Sequence, residues 1–193
     1  PKFISGSSLG KEMIYDPQYW FWKAELPVSV CKAIIEEGLK LTANTGTVGS
    51  SDRFRVDESV RNSKTAFFEN SNWLLGISNH YCNLANQNAG WNFEITGQQA
   101  PQFTIYDQSE FYDFHSDSSL HEEGMRKLSL VISITDPNDY EGGIFEFDNG
   151  VIPEISDRGS IMVFPSDLRH RVTPVTKGTR YSFVNWFTGP KMR

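Results

Sequence analysis

From residue 91 onward the chain is a series of short apolar runs separated by turn-forming residues. Residues 103–106, 128–134, 144–147, 160–164, 170–175 and 180–187 have strand length and are rich in Val, Ile, Phe and Tyr. Between them stand Gly142-Gly143, Asp148-Asn149-Gly150, Asp157-Arg158-Gly159 and Lys177-Gly178, residues that favour the backbone conformations of tight turns. Trp91-Asn92-Phe93-Glu94-Ile95 alternates apolar and polar side chains, as a half-buried strand does. Many short strands of this kind predict a sandwich or barrel.

The first half reads differently. Tyr19-Trp20-Phe21-Trp22 predicts an early extended segment. Val30, Ala33, Ile34 and Leu41 predict an amphipathic helix over 29–41, with Ser29 as its N-cap. Gly46 and Gly49 then open a Thr/Asn/Gly/Ser loop. Trp73, Leu74, Ile77, Tyr81, Leu84 and Ala85 recur at three- and four-residue steps and predict a second helix over about 70–88. Helices first and strands afterwards give an α+β chain. No linker divides it, so one domain over 1–193 is expected.

Composition narrows the function classes. The net charge of −6 and the absence of a Lys/Arg cluster argue against a nucleic-acid partner. No apolar run approaches the roughly 20 residues of a membrane span, and residues 1–10 lack the apolar core of a signal peptide. Cys31 and Cys82 form no CxxC pair and are expected to be free and buried, which fits a reducing, cytoplasmic compartment. No GxGxxG, GxxxxGK[ST] or HExxH motif occurs, so nucleotide and zinc-protease readings lack support.

The chemistry concentrates in Glu110-Phe111-Tyr112-Asp113-Phe114-His115-Ser116-Asp117. On a strand, His115 and Asp117 face the same way and can reach one ion. An imidazole and a carboxylate suit Fe(II), and a third ligand from elsewhere completes a facial triad with open positions opposite. Alone, an HxD pair reads equally as the polar end of a surface strand. His170, which opens a strand after an apolar run and a turn, is the candidate third ligand. Arg180 and Ser182 share a face of the next strand, where a guanidinium and a hydroxyl can hold a carboxylate. His121, in a charged stretch, and His80, in the second predicted helix, are read as a solvated or lid residue and a structural one. Residues 46–63 and 118–126 lack apolar periodicity and are candidate lids.

Together these motifs carry a resemblance. His115-x-Asp117, the distal His170 and Arg180-x-Ser182 resemble the 2-oxoglutarate/Fe(II) oxygenase superfamily, and within it the prolyl-4-hydroxylase-like branch of small microbial and viral enzymes. Supporting residues are Tyr106, Phe111-Tyr112, Tyr140-Glu141-Gly142-Gly143, Val172-x-Pro174-Val175 and Trp186. The likeness is strong over about 91–188 and looser over the helical part, which includes Arg61-x-Ser63. It implies a double-stranded β-helix (jelly-roll) core over about 91–188 with helical support over about 26–90. It further implies iron on His115, Asp117 and His170, with O₂ and 2-oxoglutarate as cosubstrates and ascorbate as a further cofactor. The far carboxylate of 2-oxoglutarate would lie on Arg180, helped by Ser182 and Tyr106. Tyr112, Trp186 and Arg126 fall on the substrate side. By this resemblance, Ser133 stands where many relatives carry a tyrosine. The implied reaction is hydroxylation of an unactivated C–H, a peptidyl or protein proline being the leading substrate. A small molecule or free amino acid is the alternative. A non-catalytic jelly-roll binding module is the competing class, and the presence of all three ligands with Arg180 argues against it.

Overall fold

A computed structural model describes residues 17–48, 55–70, 72–118 and 125–190, and among these residues there are fourteen strands and two helices. In chain order they are β1 (Trp20–Trp22), α1 (Val28–Gly38), β2 (Asn44–Thr45), β3 (Arg61–Asn62), β4 (Lys64–Phe67), α2 (Leu74–Asn88), β5 (Gly97–Gln98), β6 (Gln102–Tyr106), β7 (Phe111–His115), β8 (Met125–Ser133), β9 (Tyr140–Gly142), β10 (Phe145–Phe147), β11 (Ile161–Pro165), β12 (His170–Val172), β13 (Val175–Gly178) and β14 (Arg180–Gly189).

Two sheets face each other. The larger has the order β1-β11-β8-β14-β6-β4-β2, with β5 on β14; the smaller has the order β10-β12-β7-β3. Strand alternation sorts the side chains of the large sheet into two cores. Leu128, Leu130 and Ile132 of β8, Ile161 and Val163 of β11, and Phe103 of β6 point toward Cys31, Ile34, Leu74, Cys82 and Ala85 of the two helices. Val131, Met162 and Phe164 point the other way, onto Phe145, Phe147, Val172 and Val175 between the sheets. Because both faces are covered, β8 reads as an almost unbroken buried run. Each fully buried side chain there, such as Leu130, contributes roughly 1.5–3 kcal/mol. This architecture is the α+β jelly-roll core the sequence implies.

Several expectations are corrected. Residues 91–96 form no strand: the Asn86 side chain donates to the Phe93 carbonyl (2.9 Å) and accepts from its N–H (3.0 Å), taking the place of a partner strand. The alternation is nevertheless used, since Trp91, Phe93 and Ile95 pack onto the helix-side core. Helix α1 starts at Val28 after Pro27, and no side chain caps it, so Ser29 is not its N-cap. The expected strand 170–175 is two strands in different sheets, divided at Thr173-Pro174, because proline has no N–H for a ladder. Within the expected lid 46–63, Arg61 and Asn62 form β3, paired with Tyr112 and Phe111. His121 with Glu122-Glu123-Gly124, residues 49–54 and residues 1–10 lie outside the described residues. His80 is an exposed helical residue, and Cys31 and Cys82 are free and buried. Among the described residues, no helix is long and apolar enough to cross a membrane.

Candidate active site

His115 closes β7, His170 opens β12, and the two are Cα partners in the antiparallel register. Directly opposed residues project to the same side of a sheet, so both rings point into the space between the sheets. Each ring is fixed in the same way. His115 Nδ1 lies 2.8 Å from the Asp113 carbonyl and His170 Nδ1 lies 2.9 Å from the Leu168 carbonyl. A carbonyl only accepts, so each Nδ1 carries the hydrogen and each Nε2 keeps a lone pair aimed inward.

Asp117 sits two residues beyond the end of β7 and not on the strand itself. Serines place it there. Ser129 Oγ donates to Asp117 Oδ2 (2.7 Å) and contacts Ser166 Oγ (2.9 Å). The Ser166 carbonyl accepts from Ser116 Oγ (3.0 Å) and from the Ser118 N–H (2.9 Å), tying the 116–118 turn to the end of β11. His115 Nε2 and His170 Nε2 lie 3.6 and 3.7 Å from the Asp117 carboxylate oxygens, and the three ligand atoms all fall within 4.8 Å of one another. Burial alone would raise Asp117, but the two imidazoles and Arg126 outweigh it and hold its carboxyl well below the usual carboxylate range. Burial, reinforced by neighbouring His115, pushes His170 down to about 4. At neutral pH the cluster is therefore an ionised carboxylate with a neutral buried imidazole at His170, the protonation state in which these groups bind metal.

A cavity of about 300 Å³ runs from this cluster between the sheets. Arg180 stands on one wall, 4% exposed and Cα-paired with Tyr106. Its guanidinium lies 5.5 Å from the Tyr106 ring centroid. Gly143 (φ +58°) makes room for it, because a Cβ there would come within 2.8 Å of Arg180 Cδ. Ser182 follows on the same face, as the alternation expects. Arg180 Nη1 is buried without a hydrogen-bond partner among the described residues. A buried, unpartnered charged N–H calls for an acceptor, and a cosubstrate carboxylate fits there. The His-Asp-His donor set likewise fits divalent iron with positions left for a chelating cosubstrate and O₂.

Another part of the cavity wall holds the three residues expected on the substrate side. Tyr112 stacks on His115, with ring centroids 3.5 Å apart, and burial pushes its phenol up to about 12. The Arg126 guanidinium covers the Trp186 ring at 3.8 Å, and Arg126 Nε donates to Gln99 Oε1 (2.9 Å). Trp186 is 6% exposed and its Nε1 has no partner among the described residues. Ser133 does not line the cavity; Val131, two residues earlier on the same face of β8, does. The sequence reading missed Ser129, Ser166 and Gln99, and it named Arg61 only as part of the looser likeness, without a role in the site. Ser129 had a signal: a serine interrupting an apolar strand on its inward-facing parity.

The sequence pattern of the 2OG-Fe(II) oxygenase superfamily matches residues 101–188, a span that includes His115, Asp117, His170 and Arg180. A PKHD-type hydroxylase of Idiomarina loihiensis is 34% identical over 104 residues, covering 52% of this chain and 48% of the relative. The chain thus spans about half the length of the curated relatives it matches. Among solved structures, a Pseudomonas putida prolyl-4-hydroxylase superposes with a TM-score of 0.69 at 20% identity, over 89% of this chain and 92% of that one. A Trichoplax adhaerens prolyl hydroxylase in complex with a hypoxia inducible factor peptide fragment gives 0.71 at 17% identity, over 89% and 83%. Residues 101–188 thus carry the sequence pattern of the 2OG-Fe(II) oxygenase superfamily, and the chain shares its fold with these solved structures.

Proposed function

We propose that this chain is a Fe(II)- and 2-oxoglutarate-dependent dioxygenase that hydroxylates an unactivated C–H, with a prolyl residue in a peptide or protein as its substrate. One observation carries the reading: three inward-facing metal-ligand atoms share a cavity with a buried, unpartnered arginine N–H. The names of the relatives support a hydroxylase, the prolyl hydroxylases among the structural neighbours support the prolyl substrate, and the peptide-bound neighbour supports a peptide occupant.

The roles follow from the geometry. His115 and His170 offer Nε2 because their Nδ1–H groups are committed to backbone carbonyls. Asp117 offers an ionised oxygen whose orientation Ser129 sets. Arg180, with Ser182 and Tyr106 beside it, receives the far carboxylate of 2-oxoglutarate and so fixes the direction in which the cosubstrate lies. Bound iron and its cosubstrates supply the oxidation: 2-oxoglutarate and O₂ become succinate and CO₂ as one oxygen atom enters the substrate C–H bond. Val131, Val172, Val184 and Phe145 supply apolar parts of the cavity wall, and charge interactions strengthen where substrate closes the site to water. Tyr112, Arg126 and Trp186 hold the substrate: Trp186 Nε1 and Arg126 can donate to its backbone carbonyls. Two buried free thiols are consistent with work in a reducing, cytoplasmic compartment.

The test is mass spectrometry of a proline-containing peptide library incubated with protein, Fe(II), 2-oxoglutarate and ascorbate in air. A mass gain of one oxygen atom on proline, absent with His115→Ala, is the expected result. Succinate formation with no modified peptide would refute the prolyl substrate while leaving the oxygenase. Neither succinate formation nor 2-oxoglutarate binding would refute the oxygenase.

A further inference from the structure

The proposed chemistry leaves one cation in the cavity wall unused. Arg61, on β3, is 7% exposed and lines the cavity. Its Nε donates to Ser63 Oγ (2.9 Å) and its Nη1 to the Thr47 carbonyl (3.0 Å). Both acceptors are neutral. Among the described residues no carboxylate pairs with Arg61, Nη2 donates to no atom, and the only acidic residue lining the cavity is Asp117.

The surroundings are shaped to keep this guanidinium in place. A Cβ at Gly46 would come within 2.5 Å of Arg61 Nε and 2.7 Å of Ser63 Oγ, so the glycine leaves the room the pair needs. The guanidinium carbon lies 4.4 Å from the Tyr112 ring centroid, and the same ring stacks on His115 at 3.5 Å. Two groups so close to one centroid take opposite faces. Arg61 is therefore one ring thickness from a proposed metal ligand.

Charge decides what Arg61 is for. A divalent metal, Asp117, a doubly charged cosubstrate and Arg180 cancel one another, which leaves two arginines in the lining: Arg126, which covers Trp186 and donates to Gln99, and Arg61. Arg61 is then a buried cation with no counter-charge from the cavity wall, and such a charge is costly unless something pairs with it. We propose that Arg61 is the anchor for a carboxylate on the substrate. The preferred substrate class is then an acidic peptide, with Asp or Glu next to the residue that is oxidised. Arg61 and His115 lie 4.4 and 3.5 Å from the same Tyr112 ring centroid, a separation that one neighbouring residue of a peptide can span. This inference rests on the oxygenase reading, and it adds a substrate chemistry that the reading alone does not contain.

The test is calorimetry on protein loaded with Mn(II) and 2-oxoglutarate without oxygen, using two pairs of capped dipeptides. N-acetyl-Pro-Asp-amide is compared with N-acetyl-Pro-Asn-amide, and N-acetyl-Asp-Pro-amide with N-acetyl-Asn-Pro-amide. The acidic member of at least one pair should bind about tenfold or more tighter, the gain of a charged over a neutral hydrogen-bonded partner. Arg61→Gln should reduce that advantage to below about twofold with 2-oxoglutarate affinity unchanged, and Arg61→Lys should retain part of it. Equal binding of acid and amide, no binding of any dipeptide, or an advantage that survives in Arg61→Gln would overturn the inference. A weakened 2-oxoglutarate affinity in Arg61→Gln, with substrate preference intact, would reassign the residue to the cosubstrate. If 2-oxoglutarate does not bind the wild-type protein at all, the oxygenase reading itself fails and takes this inference with it.

Discussion

The two sheets that face each other across the cavity hold their functional residues in different ways. The large sheet uses long central strands, nine residues in β8 and ten in β14, covered on both faces. Arg180, Ser182, Val184 and Trp186 are successive inward positions on β14, so the backbone ladder sets their spacing. The small sheet uses strands of two to five residues, and individual hydrogen bonds do the positioning. Carbonyls of Asp113 and Leu168 fix the two imidazoles, serines fix Asp117, and Ser63 with Thr47 fixes Arg61. The proposed carboxylate clamp is thus part of the main core, whereas the proposed metal cluster is assembled from separable local contacts. The two functions should come apart under mutation.

The largest expected separation comes from Arg180→Gln. Removing a buried charged partner costs about 2–5 kcal/mol, so 2-oxoglutarate affinity should fall on the order of 1,000-fold. Calorimetry should find metal affinity nearly unchanged. If metal and cosubstrate binding fall together, the two halves are not independent.

Acid should act on the metal side. His170 is held neutral to about pH 4 in the folded chain, whereas in the unfolded chain it gains a proton near 6.5. Between those values the unfolded state binds more protons, so stability drops as pH falls through the window. The contribution is complete above 6.5 and lost by about pH 4, worth up to ~3 kcal/mol for a shift of this size. Urea unfolding of the metal-free protein at stepped pH measures it. His170→Asn should flatten the slope. An unchanged slope in that variant would place the acid sensitivity elsewhere.

The smallest of these effects sharpens the boundary between the sheets. Ser129 belongs to the large sheet yet donates to Asp117. Ser129→Ala should weaken metal binding by roughly tenfold, the lower end for loss of a group that orients a metal ligand. Its direct effect on the Arg180 end should be nil. A metal titration of this variant that matches wild type would show that Ser166 and the backbone suffice to hold the 116–118 turn.

The same contrast explains what was legible in the sequence. Strands β8, β11 and β14 announced themselves because continuous burial and β-branched or aromatic residues leave a clear record. His115, Asp117, His170 and Arg180 were named from spacing and resemblance, and the structure brings all four to one cavity. The short elements were not legible. Two residues, Arg61 and Asn62, carry no periodicity, and only pairing with β7 makes them a strand. Arg61 therefore read as part of a loop. Residues 91–96 misled in the opposite direction: their alternation reports which side chains are buried, while a side chain, Asn86, took the role of a partner strand. Ser129 and Ser166 act at sequence separations of 12 and 37, which no local pattern encodes.

The central claim is that His115, Asp117 and His170 hold one metal ion and that 2-oxoglutarate binds across that ion to Arg180. Anaerobic calorimetry of Fe(II), then of 2-oxoglutarate, into wild-type protein and His170→Ala tests it most directly. Wild-type protein should bind one metal ion per chain, with cosubstrate binding that depends on it, and both should be lost in a His170→Ala variant whose circular dichroism is unchanged. Fe(II) binding of equal strength in His170→Ala, or 2-oxoglutarate binding that ignores the metal, would contradict the claim.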